Sequence, residues 1–248
     1  DSNRNKFMFH GGANRLRSFN DDWAYDLSTH AFALLKNNEI KYANPCNHPA
    51  VREATASYDS FRDEVLIYSG KSSGICGGYE TTDAWIFNVG QAYSLGKDSA
   101  WQAWTKKAPQ AGFGPPSKMA FSASFDSGSR KHIIFGGSAD YGNIARNDLW
   151  FYDAAANTWA EAVALKKPDP RGYAALAYDS TNDLIFMAGG RTTEGSSQIN
   201  DMWVYSKSLQ QWTQIVNSQL PQLNRGDFLT YNRTRNVLVL FTNSGIYY

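Results

Sequence analysis

HIIFGGSADYGNIARNDLWFYDAAANTW, residues 132–159, and LIFMAGGRTTEGSSQINDMWVYSKSLQQW, residues 184–212, are two copies of one unit. In each, an apolar run ends in a glycine pair, Gly136-Gly137 and Gly189-Gly190. Asn-Asp-x-Trp follows, with Trp150 and Trp203, and a second tryptophan stands nine residues further on, at Trp159 and Trp212. Gly137 and Gly190 are 53 residues apart, and so are Trp150 and Trp203. A fixed period of this size is the mark of a repeat architecture.

The pattern extends both ways. KFMFHGG ends at Gly11-Gly12, followed by NDDWAYD with Trp23, and Phe32 stands nine residues later. EVLIYSG ends at Ser69-Gly70, followed by Asp83 and Trp85, with a longer stretch to an outer tryptophan at Trp101 or Trp104. NVLVLF precedes Thr242-Asn243, where the glycine pair is lost. Four segments precede the later runs as versions of one strand: Arg52–Tyr58, Lys118–Phe125, Arg171–Tyr178 and Arg225–Tyr231. Each is closed by Asp59, Asp126, Asp179 or Asn232, residue types that hydrogen-bond their own backbone in a tight turn. The unit therefore reads as four strands in roughly 50 residues. Its second strand is apolar on both faces, which requires cover on both faces. Sheets stacked face to face around an axis supply that cover, with the tryptophans filling the wider outer wedge.

The glycine pair, Asn-Asp-x-Trp-x-Tyr and outer tryptophan together closely resemble the kelch repeat, over nearly the whole chain. The resemblance implies an all-β, kelch-type β-propeller of about five four-stranded blades in one domain, residues 1–248, with units near 5–35, 52–105, 118–163, 171–216 and 225–248. The first unit lacks its first strand, and the fifth has two strands and a short GIYY tail. These incomplete first and last blades are expected either to belong to a longer chain or to be completed by neighbouring copies.

Composition fits this reading. Of 248 residues 15% are aromatic and 19% charged, which favours sheets and turns over helices. The net charge of +1 gives no field toward nucleic acid, and no apolar run is long enough for a spanning helix. The chain begins DSNRNKFMF without a signal peptide, as a cleaved mature chain or a trimmed one would. Cys46 and Cys76 permit one disulfide, and Asn232-Arg233-Thr234 is a glycosylation sequon. An extracellular, secreted chain is the expectation, with a cytoplasmic one as the alternative.

Kelch proteins generally bind on one face, built from the loop after the glycine pair and the loop leading into each first strand. Here these are residues 13–20, 71–82, 138–147 and 191–200, and residues 36–51, 106–117, 165–170 and 217–224. Arg52, Lys118, Arg171 and Arg225 recur at the heads of the first strands, with Arg191 and Arg15 in neighbouring loops. A ring of these cations at the channel mouth would suit a carboxylate or phosphate, and the bland alternative is that they bond the carbonyls of adjacent loops. Cys46 and Cys76 fall in two loops of one unit, so a bond between them is geometrically reasonable. His10 and His132 read as strand residues, His30 and His48 as surface or loop residues, and no metal-ligand spacing joins them. No phosphate-binding loop or dinucleotide fingerprint occurs, and no cofactor is implied. A module binding a protein, acidic ligand or glycan is the leading expectation. A copper radical oxidase-like or sugar-modifying enzyme and a self-assembling subunit are the alternatives.

Overall fold

Five blade sheets follow one another along the chain. The computed structural model describes residues 1–13, 18–36, 49, 51–72, 83–108, 113–116, 119–139, 144–192, 196–216 and 220–248. Contacts divide it into two compact units, residues 1–118 and 119–248. The first unit holds blades 1 and 2, the second blades 3, 4 and 5.

Blade 1 is the three-stranded sheet β1 (Lys6–Ala13), β2 (Ser18–Asp26) and β3 (Ala31–Lys36). It starts at the glycine-pair strand, as the missing first strand predicts. In blade 2, β4 (Val51–Arg52) pairs with β7 (Lys71–Ser72) ahead of the sheet β5 (Thr55–Asp59), β6 (Glu64–Tyr68), β8 (Ala84–Asn88) and β9 (Trp104–Lys107). The long stretch before the outer tryptophan is an insertion. It forms α1 (Val89–Leu95) and a 3-10 turn, Ala100–Ala103. Asn88 starts the helix by accepting the Gln91 N–H on its side chain at 2.8 Å. Val89, Ala92, Ala100 and Ala103 are buried with Trp104, so Trp104 is the residue that fills the outer strand position.

Blade 3 is β10 (Ser122–Asp126), β11 (Lys131–Phe135), β14 (Leu149–Asp153) and β15 (Thr158–Glu161). Its loop after the glycine pair carries a small hairpin, β12 (Ser138–Ala139) with β13 (Ile144–Ala145). Blade 4 is β16 (Ala175–Asp179), β17 (Leu184–Ala188), β18 (Met202–Ser206) and β19 (Gln211–Ile215). Blade 5 is β20 (Phe228–Asn232), β21 (Val237–Thr242) and β22 (Gly245–Tyr247). The GIYY tail thus supplies a third strand.

Each first turn has the same local cause. Asp59 Oδ1 accepts the N–H groups of Phe61 and Arg62, Asp126 those of Gly128 and Ser129, and Asp179 those of Thr181 and Asn182. Asn232 accepts from Arg235. Each turn then closes at a residue in the left-handed region, with φ of 58° at Asp63, 57° at Arg130, 58° at Asp183 and 53° at Asn236.

The second strands are the buried ones. Ile133, Ile134 and Phe135 on β11 have no exposure, nor have Ile185 and Met187 on β17. One side of β11 and β14 packs on Tyr178, Trp203, Tyr205 and Trp212 of blade 4. Blade 4 in turn packs Ala175, Ala177 and Ala188 on Leu229 and Leu240 of blade 5. The glycine pair is what allows the close approach where β11 ends. Gly136 has φ of 66°, and a Cβ there would come 2.5 Å from the Arg171 carbonyl oxygen.

Candidate functional site

The heads of the first strands are where the sequence places a ring of cations, and the register of the backbone divides that ring. Arg52 and Arg225 stand seven residues before the closing Asp59 and Asn232, whereas Lys118 and Arg171 stand eight before Asp126 and Asp179. The bridges Arg52 to Lys71, Met119 to Ser138 and Gly172 to Arg191 occupy the same step of the repeat. The residue after it is left-handed every time, with φ of 56° at Glu53, 56° at Ala120, 59° at Tyr173 and 91° at Gly226. The four cations therefore do not share one position. Val51, a buried core residue, stands where Arg171 stands. The side chain of Arg52 and the whole of Arg15, Lys118, Cys46, Cys76 and His48 lie outside the described residues.

Arg171 is wholly buried. Its guanidinium forms a forked ion pair with Asp201, whose second contact is 3.1 Å. It also donates to the carbonyls of Gly189 at 3.0 Å and Asp169 at 2.9 Å. Asp201 accepts the Trp203 indole N–H at 2.8 Å as well. This one side chain ties the lead-in loop of blade 4 to its glycine pair and its Asn-Asp-x-Trp strand. A buried guanidinium needs such a set of acceptors to offset its lost hydration. The carbonyl-bonding alternative describes this position, with a carboxylate added.

Arg191 and Arg225 are arranged differently. The Arg225 guanidinium carbon lies 4.0 Å from the centroid of the Tyr173 ring, and that of Arg191 lies 4.7 Å from it. Arg225 is exposed and Arg191 half-buried. Both guanidiniums are thus within cation–π distance of one ring. Tyr173 holds the left-handed backbone that this slot adopts in each unit. Three residues distant in sequence so place two cations around one ring, where blade 4 begins and blade 5 begins. Sequence reasoning named both arginines and missed Tyr173. The available signal was an aromatic at the slot that holds Glu53, Ala120 and Gly226 in the other units.

Asn232 is half-buried at the end of β20, where its side chain caps a turn. His132 lies in β11, fully buried between Phe125 and Tyr152, with ring centroids 5.2 and 6.2 Å away. His10 on β1 belongs to a polar cluster that sequence reasoning did not assemble. Its Nδ1 is 2.7 Å from Asp22 Oδ1 and its Nε2 is 3.0 Å from the Pro49 carbonyl. Asp22 Oδ2 accepts the Trp104 indole N–H at 3.0 Å, linking blade 1 to blade 2. Lys36, paired across the strand with Asp22, is buried, and that burial pushes its amine below the usual range against the pull of Asp22 and Asp21. Among the described residues, no group of three or more His, Cys, Asp or Glu could hold a metal ion, and no helix is long and apolar enough to cross a membrane.

Residues 2–243 match the family model of the KLHDC2/KLHL20/DRC7 Kelch-repeats domain. The chain belongs to this kelch-repeat family. Its fold class is accordingly the kelch-type β-propeller, with five blades and an incomplete first and last one. The kelch domain is also 25% identical over 162 residues to the Rho GTPase-activating protein gacHH of Dictyostelium discoideum. That match covers 64% of this chain and 9% of the Dictyostelium protein. The kelch domain thus spans a small fraction of that relative's length.

Proposed function

We propose that this kelch domain is a binding module that holds an acidic segment of a protein partner where blades 4 and 5 begin. The observation that carries the reading is the pair of guanidiniums stacked on Tyr173. Arg225 and Arg191 lie 4.0 and 4.7 Å from one ring, which gathers two cations at one point. Planar donors of this kind suit carboxylates, and membership of a family whose propellers typically serve as interaction modules supports a protein as the source. Arg171 acts beneath them as scaffold, because its pair with Asp201 fixes the loop that leads to Tyr173.

Fluorescence anisotropy with labelled octaglutamate tests this. Losing one charge-assisted contact to Arg225 is worth about 1.5–3 kcal/mol, so Arg225→Ala should weaken binding about tenfold or more. Tyr173→Leu, which removes the platform and keeps both charges, should weaken it as well. Equal affinity for the parent domain and both variants would overturn the assignment.

A further inference from the structure

The wedge between blades 3 and 4 is filled unevenly. Near the second strands it is dense, and Phe135 meets Trp212 edge-on at 5.4 Å. Further out, where the blades diverge, the outermost strand of blade 3 and the residue that follows it offer small side chains at Ala160 and Ala162. Ala160 stands opposite Phe151 in the register, and Phe151 and Ala162 pack against the core shared with blade 4. Large residues are needed to fill a widening gap, and two alanines do not fill it. The result is a trough of about 330 Å³, lined here by Phe151, Ala160, Ala162, Val163 and Tyr205, and by Glu161, whose carboxylate is paired with Lys167 at 3.5 Å. That volume is within the range of ligand sites, roughly 300–1,000 Å³.

The foot of the trough is cationic in a particular way. Lys207 lines it but is held by Asp126 at 2.6 Å and Asp183 at 2.7 Å, so its charge is already answered. Lys131 lines the same end and makes no ion pair among the described residues. One long side of the trough is β15, the last strand in the order β10-β11-β14-β15. Among the described residues no strand pairs with its outer edge, so its alternate N–H and C=O groups offer a template for one more strand.

We propose that this trough is a second docking site, which takes an extended acidic–apolar segment of a protein partner added antiparallel to β15. Antiparallel pairing gives the segment its direction. Asp153 opposes Thr158 and His132 opposes Tyr152, so Lys131 lies toward the start of β15. An incoming antiparallel strand therefore reaches Lys131 with its C-terminal end. Period-two geometry puts alternate side chains on one face. Two apolar side chains enter over Ala160 and Ala162, and the next residue of the same face meets the Lys131 ammonium. That residue is Glu or Asp.

The probe is a fluorescein-labelled hexapeptide with blocked ends, Thr-Leu-Thr-Leu-Thr-Glu, with the Gln-ended peptide as its partner. The parent domain should bind the Glu peptide about tenfold more tightly than the Gln peptide. Lys131→Gln should abolish that preference. Ala160→Trp fills the trough at an exposed position and should weaken both peptides at least about tenfold, with an unchanged melting temperature. Chemical-shift changes on binding should centre on Ala160 and Ala162. Arg225→Ala, which tests the loop face, should leave this affinity unchanged, so the two sites succeed or fail separately. The proposal is overturned if the parent domain fails to bind the Glu peptide at about 1 mM. It is equally overturned if Ala160→Trp binds as the parent does, or if the Glu preference survives in Lys131→Gln.

Discussion

Replacing Asp201 by Asn removes one charge from an ion pair whose cation is wholly buried. Arg171 has a side-chain exposure of 0% and Asp201 of 16%. Asn keeps the shape and one acceptor for the Trp203 indole, while the guanidinium stays in place with only the Gly189 and Asp169 carbonyls to answer it. Breaking a buried pair from one side costs about 3–5 kcal/mol, because the remaining charge stays desolvated. The partial exposure of Asp201 places the expected loss at the lower end, about 3 kcal/mol. For a chain of this length that is a fall in Tm of about 6–12 °C. Urea unfolding followed by tryptophan fluorescence reads the change as a lower midpoint at constant slope. Arg171→Met should cost a similar amount. The double variant Arg171→Met, Asp201→Leu should cost clearly less than the two singles added, since no lone charge is left buried. A single Asp201→Asn variant within about 1 kcal/mol of the parent would refute the claim that this pair organises the head of blade 4.

Two further outcomes follow from the turns and the glycine pair. The Asp126 carboxyl lies below the usual carboxylate range: burial pushes it up, and the Lys207 ammonium and Ser129 outweigh that. A depressed folded value contributes stability that is present above the unfolded value, about 3.9, and is lost as pH falls through the folded one. Lys207→Met should therefore cost about 1.5–3 kcal/mol at pH 7 and flatten the loss of stability toward pH 3. Parallel urea midpoints for parent and variant across that range would contradict it. Gly136→Ala should cost more than Gly226→Ala, because both are left-handed but only the first meets an atom, the Arg171 oxygen at 2.5 Å. Strain alone is worth about 1–3 kcal/mol, and equal losses by thermal unfolding would count against the close-approach account.

The repeat was legible because its signals are local. Apolar alternation, the glycine pair and an Asp that caps its own turn act within a few residues, so Asp59, Asp126, Asp179 and Asn232 could be read as turn residues before any contact was known. The strand missing from the start of blade 1 was visible for the same reason. The insertion at residues 89–103 was visible only as extra length, since a seven-residue helix capped by Asn88 depends on burying Val89 and Ala92 against its own blade. The one-residue offset among Arg52, Lys118, Arg171 and Arg225 was present in the spacing to the closing Asp or Asn. The backbone bridges make it plain, because one step along a strand reverses the face that a side chain occupies.

The amino-acid sequence by itself determined the four-stranded unit, its period, its turns and its family, since each follows from neighbours along the chain. Only the tertiary structure decided which cations became scaffold and which stayed at the surface. Arg171 is buried because Asp201, thirty residues on, meets it there. Arg225 lies on Tyr173, a residue of the preceding blade. The trough beside Ala160 exists only because a second sheet diverges from the first. Burial, charge pairing and unfilled space are properties of surfaces brought together, and spacing along one chain does not specify which surfaces those will be.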